Sequence, residues 1–156
     1  MKIRLIKQRG TPPLHRRDRL MRILKLGQKL AGLDQDPTTL NLILTPADTM
    51  ARMNEQFLQH QGSTDVLTFD LREELVGEDL DDLCGGEIYV CPQVAMEFAK
   101  QFGTTPSYEL VLYLIHGMLH LAGEDDLEED ARRSMRQAEK RVMDGIALHY
   151  SVEGLL

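Results

Sequence analysis

The sequence predicts an α+β fold: a single domain spanning residues 1–156, with a small mixed β-sheet of about four strands covered by about five helices. Three observations carry this. Apolar residues are 42% and charged residues 28% of the 156, the composition of one domain with a sizeable core. Short β-like apolar runs alternate with longer runs at helical spacing, with no internal repeat and no Pro/Gly/Ser linker. Finally, the stretch ELVLYLIHGMLHLA, residues 109–122, is apolar on nearly every side, as a helix at the centre of a domain must be.

Each element has a local reason. Residues 2–8 (KIRLIKQ) alternate as a strand does. Residues 14–30 place Leu20, Ile23, Leu24 and then Ala31 at helical spacing with Arg and Lys between them, so the first helix has a basic outer side. TTLNLILT, 38–45, reads as the second strand, and Pro46 as the first position of a helix running to about Leu58. DVLTFDL, 65–71, is a third strand that starts from a turn at Thr64 and Asp65, and 72–84 is an acidic loop. GGEIYVC, 85–91, is the fourth strand; Pro92 then opens a helix to about Phe102, ended by Gly103. Thr105 and Pro106 form an N-cap and first-turn pair for the apolar helix, which lasts until Gly123. The last helix, about 127–149, begins with Glu128, Glu129 and Asp130 and turns basic further on, as the helix macrodipole favours.

Charge and length narrow the function classes. The net charge is −7, yet residues 1–32 hold ten basic side chains against Asp18 alone, leaving eight basic and 24 acidic residues in the other 124. A uniformly cationic coat is excluded, while a basic N-terminal face remains free to meet phosphates. The opening MKIRLIKQRG scatters four basic residues among its apolar ones, unlike a secretory signal. The longest apolar stretch, Leu110 to Ala122, is 13 residues with two histidines, whereas a bilayer span needs about 20. Cys84 and Cys91 bracket an extended segment that separates them by roughly 23 Å. They read as free thiols, and the protein as cytoplasmic with no membrane partner.

The chemistry concentrates in HGMLHLAGEDD, residues 116–126. His116 and His120, four apart on a helix, project from one face and can share an ion. Gly123 lets the chain leave the helix in a left-handed turn, and Asp126, six residues past His120, can return as a third ligand. Two ring nitrogens and a carboxylate oxygen leave the fourth position of one divalent ion, with zinc the expected metal, for water. The alternative is a pair of core histidines satisfied by hydrogen bonds. Either way both need compensation, because unpaired burial costs about 1–3 kcal/mol per group. Gly117 stands where H-E-x-x-H peptidases carry their general-base glutamate, so it reads as a site of close helix packing and peptide hydrolysis lacks its base. Glu124, Asp125, Glu128 and Glu129 read as a solvated helix entrance. No general acid or other catalytic residue is assigned.

This block resembles the signature of the YbeY family of metal-dependent endoribonucleases, H-G-x-L-H-L-x-G-x-D-H, with His116, Gly117, Leu119, His120, Leu121, Gly123 and Asp125 at matching places. A second family block, N-x-x-[YF]-R followed by P-T-D-V-L-S-F, is similar to MNEQFLQHQGSTDVLTF, with Asn54, Phe57, Thr64, Asp65, Val66, Leu67 and Phe69 in register. GGEIYVC is similar to the family's G-D-I strand. Two positions depart: the family's third metal histidine is Asp126 here, and its arginine in the second block is Leu58, for which Arg52 and Arg72 are the candidate replacements.

The resemblance implies an endoribonuclease acting on structured ribosomal RNA in ribosome biogenesis, dependent on a metal held by His116, His120 and Asp126. The basic N-terminal helix would grip the RNA backbone, with ribosomal proteins as further partners. Two competing readings are a non-catalytic RNA- or ribosome-binding module with a structural metal, and a metallopeptidase. Gly117 argues against the second.

Overall fold

A computed structural model describes residues 1–57, 66–77 and 79–156. Leu58, Thr64 and Asp65 lie outside them. Four strands, β1 (Lys2–Lys7), β2 (Thr39–Leu44), β3 (Val66–Asp70) and β4 (Cys84–Val90), form one sheet in the order β1-β2-β4-β3. β1, β2 and β4 run parallel, and β3 pairs antiparallel with β4 at the edge. The mixed sheet has a simple cause. Parallel neighbours need a long crossover, which α1 (Arg17–Ala31) supplies between β1 and β2.

Strand alternation sorts the side chains into two layers. Leu40, Leu42 and Leu44 of β2, with Ile88 and Val90 of β4, point into the main core. That core is closed by α1, α4 (Pro106–Leu121) and α5 (Glu129–Ala147), while α3 (Pro92–Phe102) packs beside α4. The opposite face carries a smaller cluster, Met50 of α2 (Ala47–Phe57) with Leu67 and Cys91. Cys84 is half-buried and Cys91 buried, with no disulfide between them.

The apolar helix occupies the predicted central place: eleven of the 16 residues of α4 are buried. Thr105 caps it, its hydroxyl accepting from Tyr108 N at 3.1 Å. Gly117 lets it press on the sheet, because a Cβ there would stand 2.7 Å from Ile88 Cγ2 and 3.0 Å from Thr68 Oγ1. Close packing is therefore what this glycine does.

Several boundaries differ from expectation for local reasons. α1 begins at Arg17 rather than near Leu14, since Pro12 and Pro13 precede it and His15 N donates to Leu155 O at 2.7 Å instead of entering the helix. Pro46 sits just outside α2, its carbonyl accepting from Met50 N. The acidic loop contains a short 3-10 turn, Arg72–Glu74, held by Arg72 N donating to Asp70 Oδ1. No helix among the described residues is long and apolar enough to cross a membrane.

Candidate metal centre

α4 ends in a turn that performs the chain reversal read from the sequence. Ala122 N donates to Met118 O and Leu119 O, Gly123 N to His120 O, and Glu124 N to Leu119 O, with Gly123 at φ 106°. That left-handed conformation suits glycine. The chain then brings Asp126 back over the last turn of the helix.

His116, His120 and Asp126 meet there. The two Nε2 atoms lie 3.0 Å apart, and Asp126 Oδ2 is 3.4 Å from that of His116 and 3.5 Å from that of His120. Bonds of about 2.0–2.2 Å to a tetrahedral ion imply ligand edges of about 3.3–3.6 Å. The two edges to Asp126 fall in that range and the 3.0 Å edge between the histidine nitrogens is a little shorter, so the three atoms come close to the spacing of one such ion and leave a fourth position. The side chains remain 20%, 27% and 38% exposed, so the triangle is open to water.

Partners behind the rings fix which nitrogen is free. His120 Nδ1 lies 3.0 Å from Glu124 O, an atom that can only accept, so Nδ1 carries the proton and Nε2 a lone pair. His116 Nδ1 stands 2.7 Å from Glu139 Oε1, which imposes the same tautomer. Two ring nitrogens and a carboxylate oxygen therefore converge. This is the electrostatics of a cation site, and the Glu139–His116 contact is the carboxylate–histidine support typical of metal ligands.

The neighbouring acids have other duties. Asp125 Oδ1 accepts from Asp126 N at 2.6 Å and Leu127 N at 3.1 Å, which turns it into the loop backbone and leaves the inward position to Asp126. Glu124 Oε2 accepts from Ser134 Oγ at 3.0 Å. Glu129 and Asp130 are solvated beside Arg133, as expected.

Neither arginine considered as a replacement at position 58 is a free cation at this centre. Arg52 faces solvent, 70% exposed, beside Asp48 and Thr49. Arg72 is committed elsewhere: Nε and Nη2 bind Asp70 at 2.9 and 2.6 Å, Nη1 binds Asp36 at 3.1 Å, and Nη2 also donates to Leu121 O at 2.5 Å. The Asp70 carboxyl is held below its ordinary range chiefly by this hydrogen bond. Burial pushes Asp36 up, but hydrogen bonds from Thr38 and Arg72 outweigh it and leave Asp36 below its ordinary range as well.

Glu139 was missed in the sequence, though a signal existed. It lies on the inner stripe of α5 with Met135, Ala138, Val142 and Met143, where an acid is out of place unless it meets a partner.

The basic helix keeps its charges outward only in part. Arg16, Arg17, Asp18, Arg19, Arg22 and Tyr150 line an open pocket at the start of α1. Arg17 donates to Leu5 O and Arg19 to Glu153 O, so the exposed Arg16 and Arg22 are better placed to meet a ligand.

In this α+β domain the buried helix ends in two histidines to which a carboxylate returns, a group of three side chains that could hold a metal ion. Residues 7–147 match the family model described as "Endoribonuclease YbeY". The chain belongs to that family. It is 46% identical over 102 residues to Endoribonuclease YbeY of Thermotoga petrophila, covering 65% of this chain and 62% of that one. It is 36% identical over 115 residues to the Salinibacter ruber protein of the same name, covering 70% and 71%. The solution structure of TM1509 from Thermotoga maritima superposes with a TM-score of 0.58 at 28% identity, over 97% of this chain and 96% of that one.

Proposed function

We propose that this protein is a metal-dependent endoribonuclease of ribosomal RNA maturation, working in the cytoplasm, with one zinc ion held by His116, His120 and Asp126. The observation that carries the reading is the solvent-open triangle of two ring nitrogens and a carboxylate oxygen, whose edges come close to those of a tetrahedral ion and whose fourth position is free. Family membership supplies the reaction class. A divalent ion at such a centre supplies Lewis acidity toward a phosphodiester.

The chain's own residues do the rest. Glu139 and the Glu124 carbonyl hold both imidazoles as Nδ1–H tautomers, so each Nε2 faces inward without rotation of the ring. Asp126 lowers the net charge of a divalent centre to +1, where a third imidazole would leave +2. Gly117 carries no base, which disfavours peptide hydrolysis. Structured ribosomal RNA is the partner, gripped by Arg16 and Arg22 with the exposed Lys25 and Lys29 of α1, and ribosomal proteins are further partners.

Metal analysis of the purified protein, paired with cleavage of a structured ribosomal RNA fragment with and without chelator, tests this. About one divalent ion per chain and cleavage abolished by chelator are expected. Metal without cleavage supports the structural-metal alternative, and the absence of both overturns the proposal.

A further inference from the structure

The metal centre is built from two pieces of chain, the helix that carries His116 and His120 and the turn that returns Asp126. Leu121, the last residue of α4, is the joint between them. The carbonyls of a helix's last turn have no partner within the helix. Here those of Met118, Leu119 and His120 accept from the amides of the following turn, while that of Leu121 accepts from the Arg72 guanidinium. The same guanidinium holds both oxygens of Asp70 at the end of β3 and one of Asp36, ahead of β2. One planar cation thus ties the joint to two separate parts of the sheet, a task suited to arginine's rigid fork. A cation at a helix C-terminus is also favoured by the macrodipole.

We propose that Arg72 is a positioning residue of the metal centre: by pinning the Leu121 carbonyl to Asp70 and Asp36 it fixes the angle at which Asp126 meets the two histidines. The inference rests on the metal reading given above. Without Arg72 two carboxylates and a carbonyl face one another, and the joint is free to shift. Partners of this kind behind metal ligands are typically worth 10- to 100-fold in metal affinity.

The test measures zinc affinity by competition with a chromophoric chelator in the full chain, for wild type, Arg72→Met, Arg72→Lys and the control Leu5→Ala. Leu5 is a core residue of β1, at the sheet edge opposite β3. Arg72→Met should bind zinc about 10- to 100-fold more weakly, and Arg72→Lys, which keeps the charge but not the fork, should recover part of that. Leu5→Ala should melt earlier with zinc affinity unchanged. Wild-type affinity in Arg72→Met, or an equal loss in Leu5→Ala, overturns the proposal. If Arg72→Met does not fold, Arg72→Lys against Leu5→Ala decides in the same way. Hydrogen exchange at the Ala122, Gly123 and Glu124 amides of the metal-free protein is the second readout. Should wild type bind no metal, the functional reading fails by itself. In that case faster exchange at these three amides alone in the Arg72 variants upholds the positioning role, and unchanged exchange overturns it.

Discussion

Removing Glu139 should weaken metal binding without unfolding the protein. Its Oε1 lies 2.7 Å from His116 Nδ1, the length of a charge-assisted hydrogen bond, and the two side chains are only 19% and 20% exposed, so water screens the pair little. A hydrogen bond to a charged group contributes about 1.5–3 kcal/mol, which at about 1.4 kcal/mol per decade is roughly 10- to 150-fold in affinity. Glu139→Ala should lose an amount in that range, because His116 then keeps neither its tautomer nor its ring orientation. Glu139→Gln keeps an acceptor and loses only the charge, so it should fall between wild type and alanine. Zinc affinity by chelator competition is the assay, with thermal melting of the metal-free protein as control. Wild-type affinity in Glu139→Ala refutes the account of how the histidines are oriented.

Three further outcomes follow from other parts of the molecule. Gly117→Ala should destabilise by up to about 2 kcal/mol in denaturant unfolding, the net of an overpacking cost of about 1–3 kcal/mol against Ile88 and roughly 1 kcal/mol gained in helix propensity; a stabilised variant removes the packing argument. Reversing Arg16 and Arg22 to Glu should weaken RNA binding and lower the slope of log affinity against log salt by about 0.9 for each duplex phosphate no longer neutralised, and an unchanged slope returns this face to plain solvation. Asp36 and Asp70 have carboxyls held low in the folded protein, so they add stability at pH values above the ordinary carboxylate range, and it is lost as pH falls through their folded values. Acid unfolding below about pH 4 should therefore be shallower in Arg72→Met than in wild type, and an identical profile contradicts the triad.

The sequence carried the elements better than their edges. Strand alternation and the all-round apolar character of residues 109–122 are properties of single segments, and they identify the sheet and the buried α4. The start of α1 at Arg17 depends on a bond from His15 to Leu155, 140 positions away, which no local pattern reports. The same division holds at the centre. His116, His120, Gly123 and Asp126 sit within eleven residues, and their roles follow from helix geometry and one left-handed turn. Glu139 and Arg72 reach the centre through tertiary packing of α5 and the end of β3. Only an acid on an apolar stripe hinted at Glu139, and nothing local hinted at the structural role of Arg72, which the sequence offers only as a candidate replacement for the family's arginine at position 58.

Metal content of Asp126→Ala beside Asp125→Ala and wild type, with RNA cleavage read on the same samples, tests the central claim most directly. The two aspartates are chain neighbours of equal charge, but only Asp126 faces both histidine nitrogens, while Asp125 binds the loop backbone. Wild type and Asp125→Ala should each hold close to one divalent ion per chain and cleave, whereas Asp126→Ala should hold well below one and lose cleavage with it. Loss of metal in Asp125→Ala, or in neither variant, contradicts the centre described here.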